Sequence, residues 1–153
     1  MQIILYIIGA IMGLGVLQAF IGYRRAQTIP RPDDAGNGSI KPCPQTPNCV
    51  STVDTDKEHG METIPYAMSL EEAKQKLLGI IAQLPRAIVV NEADTHIYVE
   101  TRSPTMGFPD DVEFVFDDDA KVIHFRSAAR MGMGDLGKNR ERMAYIRDEF
   151  SKS

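Results

Sequence analysis

Residues 126–142, RSAARMGMGDLGKNRER, gather four arginines, three glycines, Asp135 and Asn139 in one short stretch. Glycines let backbone N–H groups converge, and a helix N-terminus attracts anions. Arg126, Arg130 and Arg142 add planar donors for a phosphate or carboxylate. Ser127, Asp135 and Asn139 complete this expected ligand-binding set. A structural role competes with it: Asp135 caps a helix and pairs with an arginine, and Asn139 ties down the loop. The counter-charge inside the motif favours that second role.

A second group lies on neighbouring expected strands: Tyr98, Glu100, Arg102, Glu113, His124 and Arg126. Acid, base and anchor are all present, so Glu113, His124 and Arg126 are the residues of an enzymatic alternative. The plainer reading is the solvated face of a one-sided sheet. There is no G-x-S-x-G or other nucleophile motif, and catalytic residues remain unassigned. His59 and His96 read as bystanders in a polar loop and at a turn edge. Asp110-Asp111 and Asp117 to Asp119 lack calcium-loop spacing and suit turns and solvation. No metal or cofactor is expected.

The third feature is the pair Cys43 and Cys49, the only cysteines. Five residues with two prolines separate them and can hold the sulfurs near disulfide geometry. Two reduced thiols or half a metal site are the alternatives, but nothing at suitable spacing completes a metal site.

The elements that must position these residues follow from periodicity. Ser69 and Glu72 form a capping box, and Leu70, Ala73, Leu77, Ile80, Ile81 and Leu84 recur at helical spacing over 70–84 before Pro85. Two hairpins follow. The first joins 87–91 to 96–102 through four residues, placing Val90 opposite Ile97 and Ile88 opposite Val99. The second joins 111–117 to 122–128. Pairing Asp117 with Val122 sets Phe116 against Ile123, Phe114 against Phe125 and Val115 against His124. It also makes Glu113–Arg126 an expected cross-strand ion pair. Asp135 then caps a last helix over 136–150, with Leu136, Met143, Ile146 and Phe150 as its apolar stripe and Asn139 on the same face. Residues 50–65 read as irregular, with short extended pieces. The expected fold is α+β: a four-stranded antiparallel sheet flanked by two helices in the order α-β-β-β-β-α.

Ahead of this domain (42–153) stand an apolar segment (1–23) and a Pro/Gly/Asp-rich linker (24–41). Residues 3–23 carry no charge and are long enough, at about 1.5 Å per residue, to cross roughly 30 Å of hydrocarbon. No Lys or Arg precedes them and no small-x-small cleavage site is evident, which favours an uncleaved single-pass anchor over a signal peptide. Arg24, Arg25, Arg31 and Lys41 after the span favour a cytoplasmic domain. A Cys43–Cys49 disulfide would favour the opposite side. A net charge of −4 and a pI near 5.4 argue against a general nucleic-acid binder.

Three separated motifs resemble the DUF1499 family: CPQTPNCVS (43–51), DDVEF (110–114) and RSAARMGMGDLGKNRERMAYIR (126–147). Ala129 and Thr52 depart from the serines usual there, which weakens an essential role for either hydroxyl. The resemblance covers roughly residues 40–150 and implies no substrate. It does imply a frequent N-terminal membrane or export signal, which tilts the domain toward the extracytoplasmic side. The expected function is a membrane-anchored, non-catalytic binding or scaffolding module. Its partners would be the bilayer and an anionic small molecule, lipid headgroup or protein.

Overall fold

The structure, a computed structural model, describes residues 2–32, 35–104 and 106–152, with the side chains of 2, 5 and 25–27 excepted. Asp33 and Asp34 of the expected linker, and the Arg25 side chain, lie outside the described residues.

Helix α1 (Gln2–Thr28) is exposed along its apolar length. Within it Tyr6–Arg24 is long and apolar enough to cross a membrane, a test that a signal sequence also meets. The sheet is antiparallel and has six strands. Its central members are β3 (Ala87–Glu92), β4 (His96–Arg102), β5 (Pro109–Asp117) and β6 (Val122–Ala129). The expectation of four strands is corrected by β1 (Cys49–Ser51) and β2 (Ile64–Pro65), which both pair with β6. Strands of three and two residues are too short to leave a period-2 signature.

The β5–β6 hairpin has the expected register throughout, from Asp117 opposite Val122 to Glu113 opposite Arg126. The β3–β4 register differs. A bulge between Val89 and Asn91 inserts one residue, so Val89 faces Val99 and Ile88 faces Glu100.

Helix α2 (Leu70–Ile81) starts at the Ser69/Glu72 capping box and gives way to tighter turns over 82–84. Helix α3 (Lys138–Ser151) starts two residues later than expected, because Gly137 is the N-cap and adopts a left-handed conformation. Asp135 still receives the N–H groups of Gly137 and Asn139, at 3.0 and 2.6 Å. Leu136 is not on the buried stripe; it is 97 % exposed. Helices α2 and α3 pack on one sheet face around Leu77, Ile81, Phe114, Phe125, Met143 and Ile146.

The other sheet face is not solvated, contrary to expectation. Residues 29–32 and 35–38 lie across it as a strap. Arg31 bonds Glu100 at 3.3 Å, and Gly36 donates its N–H to Glu113 and accepts from Asn91. Gly36 has φ +79°, and a Cβ there would stand 3.2 Å from the Asn91 amide nitrogen, so the strap needs glycine at this crossing.

Candidate functional site

Strand alternation divides the arginine-rich motif between the two sheet faces. Arg126 and Arg130 point to the strap side. Ser127, Asn139 and Arg142 meet on the helix side. The expected single cluster is therefore two, with the sheet between them.

On the strap side, Arg130 is the hub, its side chain 4 % exposed. Nε reaches Asp111 at 2.9 Å, and Nη2 reaches Glu100 at 2.8 Å, the Tyr98 hydroxyl at 2.9 Å and Asp111 at 2.6 Å. Nη1 contacts the Ile29 carbonyl at 3.5 Å. Tyr98 also donates to Asp111. Glu100 takes a second fork from Arg102, at 2.7 and 3.0 Å. Burial works against the Glu100 charge, but Arg130 and Arg102 outweigh it and hold the carboxyl below its usual range. Burial likewise opposes the Arg130 charge, and Asp111 and Glu100 overcome it.

On the helix side, Asn139 and Ser127 are both 0 % exposed. The Asn139 carbonyl oxygen accepts from Ser127 Oγ and Arg142 Nη1, both at 2.6 Å. Its amide donates to the Asn48 carbonyl at 3.0 Å, tying α3 to the residue before β1. Arg142 Nη2 pairs with Asp110 at 2.6 Å. Asp110 and Asp111 are thus buried strand residues on opposite faces, each holding one arginine, rather than the solvated turn residues expected. Arg142 and Asp110 make the ion pair that was expected of Asp135.

Cys43 and Cys49 form a disulfide, 2.04 Å between sulfurs. Thr52 keeps a hydroxyl function despite its departure from serine: Oγ1 accepts the Phe125 N–H at 3.1 Å and contacts His124 Nδ1 at 3.2 Å. His59 is buried and pinned between Asp56 and the Thr46 carbonyl. His96 is buried too, and neither ring nitrogen has a hydrogen-bond partner among the described residues.

The expected Glu113–Arg126 ion pair does not form among the described residues. Glu113 instead accepts from Gly36, and burial raises its carboxyl above the usual range, which the Gly36 bond and the Arg126 charge oppose. The sign for stability follows. A folded-state pKa above the unfolded one favours the fold at low pH, and the benefit is lost as pH rises through the folded value. Glu113→Gln keeps the acceptor for Gly36 and removes the ionisation. Its melting temperature relative to wild type is expected to climb between pH 4 and pH 8. A constant difference across that range would count against this burial effect.

Arg126 is the exception in this network. Its Nε is buried with no hydrogen-bond partner among the described residues. It lines a pocket of about 380 Å³ between strap and sheet, with Ile29, Arg31, Pro32, Asp111 and Arg130. That pocket reaches neither Glu113 nor His124, so it does not assemble the enzymatic alternative.

No curated protein matches the chain. The family model of DUF1499, described as a protein of unknown function, matches residues 39–150, a span that holds the disulfide, both aspartate–arginine pairs and the Asn139 hub. The chain belongs to the DUF1499 family.

Proposed function

We propose that this protein is a non-catalytic binding module, tethered to a bilayer by α1, that takes an anionic ligand in the pocket between strap and sheet. The observation that carries this is the buried Nε of Arg126. Arg102, Arg130 and Arg142 each meet a carboxylate, while the Arg126 Nε is withdrawn from water without an acceptor among the described residues. A buried donor left unmade is costly, and an anion supplies what it lacks.

Proximity to the bilayer supports the same reading. Ile29 lines the pocket five residues after Arg24, the end of the apolar span, roughly 7 Å at helical rise. The turn beyond Arg130 presents Met131, Met133 and Leu136 to the outside, the last in a left-handed conformation unusual for leucine. Apolar side chains exposed just beyond the Arg130 contact with Ile29, the residue that follows α1, suit a lipid interface. The disulfide supports an extracytoplasmic domain, against the Arg24 charge bias.

The test is a thermal-shift series on the full chain in detergent micelles. Inorganic phosphate, glycerol 3-phosphate and phosphatidylglycerol are the anionic probes, with phosphatidylcholine as control. A ligand at a hundred times its Kd stabilises by about 2.7 kcal/mol, a rise of several degrees, which Arg126→Ala is expected to abolish. No shift with any anion, or equal shifts in Arg126→Ala, would remove the basis for this function.

A further inference from the structure

On the opposite side of the sheet a second cleft, of about 390 Å³, opens between the end of α2, the end of β4 and the first turns of α3. This is a volume in the range of small-molecule sites. Its floor is Thr101 and Asp110, register partners on adjacent strands. Thr101 is 3 % exposed, and its Oγ1 has no hydrogen-bond partner among the described residues. A buried hydroxyl left unpaired is costly and calls for a reason. Beside it, Arg142 occupies only Oδ2 of Asp110, and no hydrogen bond among the described residues reaches Oδ1. The floor therefore offers a free acceptor next to a hydroxyl able to donate or accept.

The surroundings restrict what fits. Leu84, Pro85, Pro104 and Tyr145 give apolar and aromatic walls. Of the cations around the cleft, Lys138 pairs with Glu141 and Arg102 with Glu100, while Arg86 meets no carboxylate among the described residues and donates only to the Arg102 carbonyl. Arg86 disfavours a cationic ligand at the rim. A purely apolar acid leaves Thr101 and Asp110 unmet.

We infer that this cleft binds a sugar acid: a hydroxylated ring whose hydroxyls meet Asp110 and Thr101, whose C–H face rests on the apolar walls, and whose acidic group meets Arg86. The site is separate from the strap pocket and does not rest on the function proposed for it.

Titration calorimetry on the full chain in micelles, with glucuronate, glucose and hexanoate, tests this. Glucuronate is expected to bind at least tenfold more tightly than glucose, which lacks the charge, and than hexanoate, which lacks the hydroxyls. Thr101→Val removes the hydroxyl at nearly constant shape and is expected to weaken glucuronate at least fivefold without lowering the melting temperature. Arg86→Ala, at the exposed rim, provides a second variant with the same expected loss. Arg126→Ala is expected to leave glucuronate binding intact. The inference is overturned if glucuronate binds no better than glucose or hexanoate, if both cleft variants bind like wild type, or if Arg126→Ala abolishes binding.

Discussion

Replacing Arg130 with methionine is expected to destabilise the domain by about 3–5 kcal/mol, the cost of breaking a buried ion pair from one side. The substitution strands the buried Asp111, takes one of three arginines from the buried Glu100, and leaves the Tyr98 hydroxyl with one partner fewer. Arg130→Lys keeps the charge but lacks the planar fork that spans three acceptors, so it should fall between methionine and wild type. Restoring balance is the sharper check. Combining Arg130→Met with Asp111→Asn removes the stranded charge and should recover much of the loss. Urea unfolding of the full chain in micelles, followed by far-ultraviolet circular dichroism, measures all three. Because Arg130 also holds the Ile29 carbonyl, the methionine variant should exchange the Gly36 amide hydrogen faster as the strap loosens. A methionine variant within 1 kcal/mol of wild type by the same measure would show that the network contributes little net stability, as some buried ion pairs do.

Asn139→Ala is the second large effect, expected to cost roughly 2–4 kcal/mol. Three contacts go at once: those with Ser127, Arg142 and the Asn48 carbonyl. The Asn48 carbonyl keeps the Ala129 N–H, and Arg142 keeps Asp110, so the loss is not total. Asn139→Asp separates the two halves of the amide. It retains the acceptor for Ser127 and Arg142 but sets a carboxylate oxygen against the Asn48 carbonyl, and should unfold earlier than wild type at neutral pH. If the alanine variant melts like wild type, Asn139 does not join α3 to β1 as a structural hub.

Much of the scaffold was legible because its causes are local. The Ser69/Glu72 box and the apolar spacing after it define α2. The alternating Phe114, Phe116, Ile123 and Phe125 set the β5–β6 register, since any one-residue slip would turn them outward. Seven residues containing two prolines bring Cys43 and Cys49 together. The β3–β4 register was lost to a bulge, which adds a residue without changing composition. Leu136 was lost because a helical stripe extrapolated backward passed the left-handed Gly137 that starts the helix.

The candidate sites were harder to read. Arg126 and Ser127 are neighbours in the chain and belong to opposite sides of the sheet, as do Asp110 and Asp111. Their alternation was available as a signal, but grouping by sequence proximity concealed it. Thr101 left no signal at all, because a threonine near the end of a strand is ordinary until its hydroxyl is found buried with no partner among the described residues.

By itself the sequence determined an apolar N-terminal helix, a capped amphipathic helix, a hairpin in register and a clustered arginine motif. Each depends on residues a few positions apart. Only the tertiary structure decided that the polar sheet face is covered, and by what. The strap's contacts join residues 69, 77 and 101 positions apart in the chain: Arg31 to Glu100, Gly36 to Glu113 and Ile29 to Arg130. Burial of that face turns solvated charges into paired ones and leaves the Arg126 Nε without an acceptor among the described residues. No periodicity encodes this, because the segment that removes the water lies far away in sequence and has no regular structure of its own.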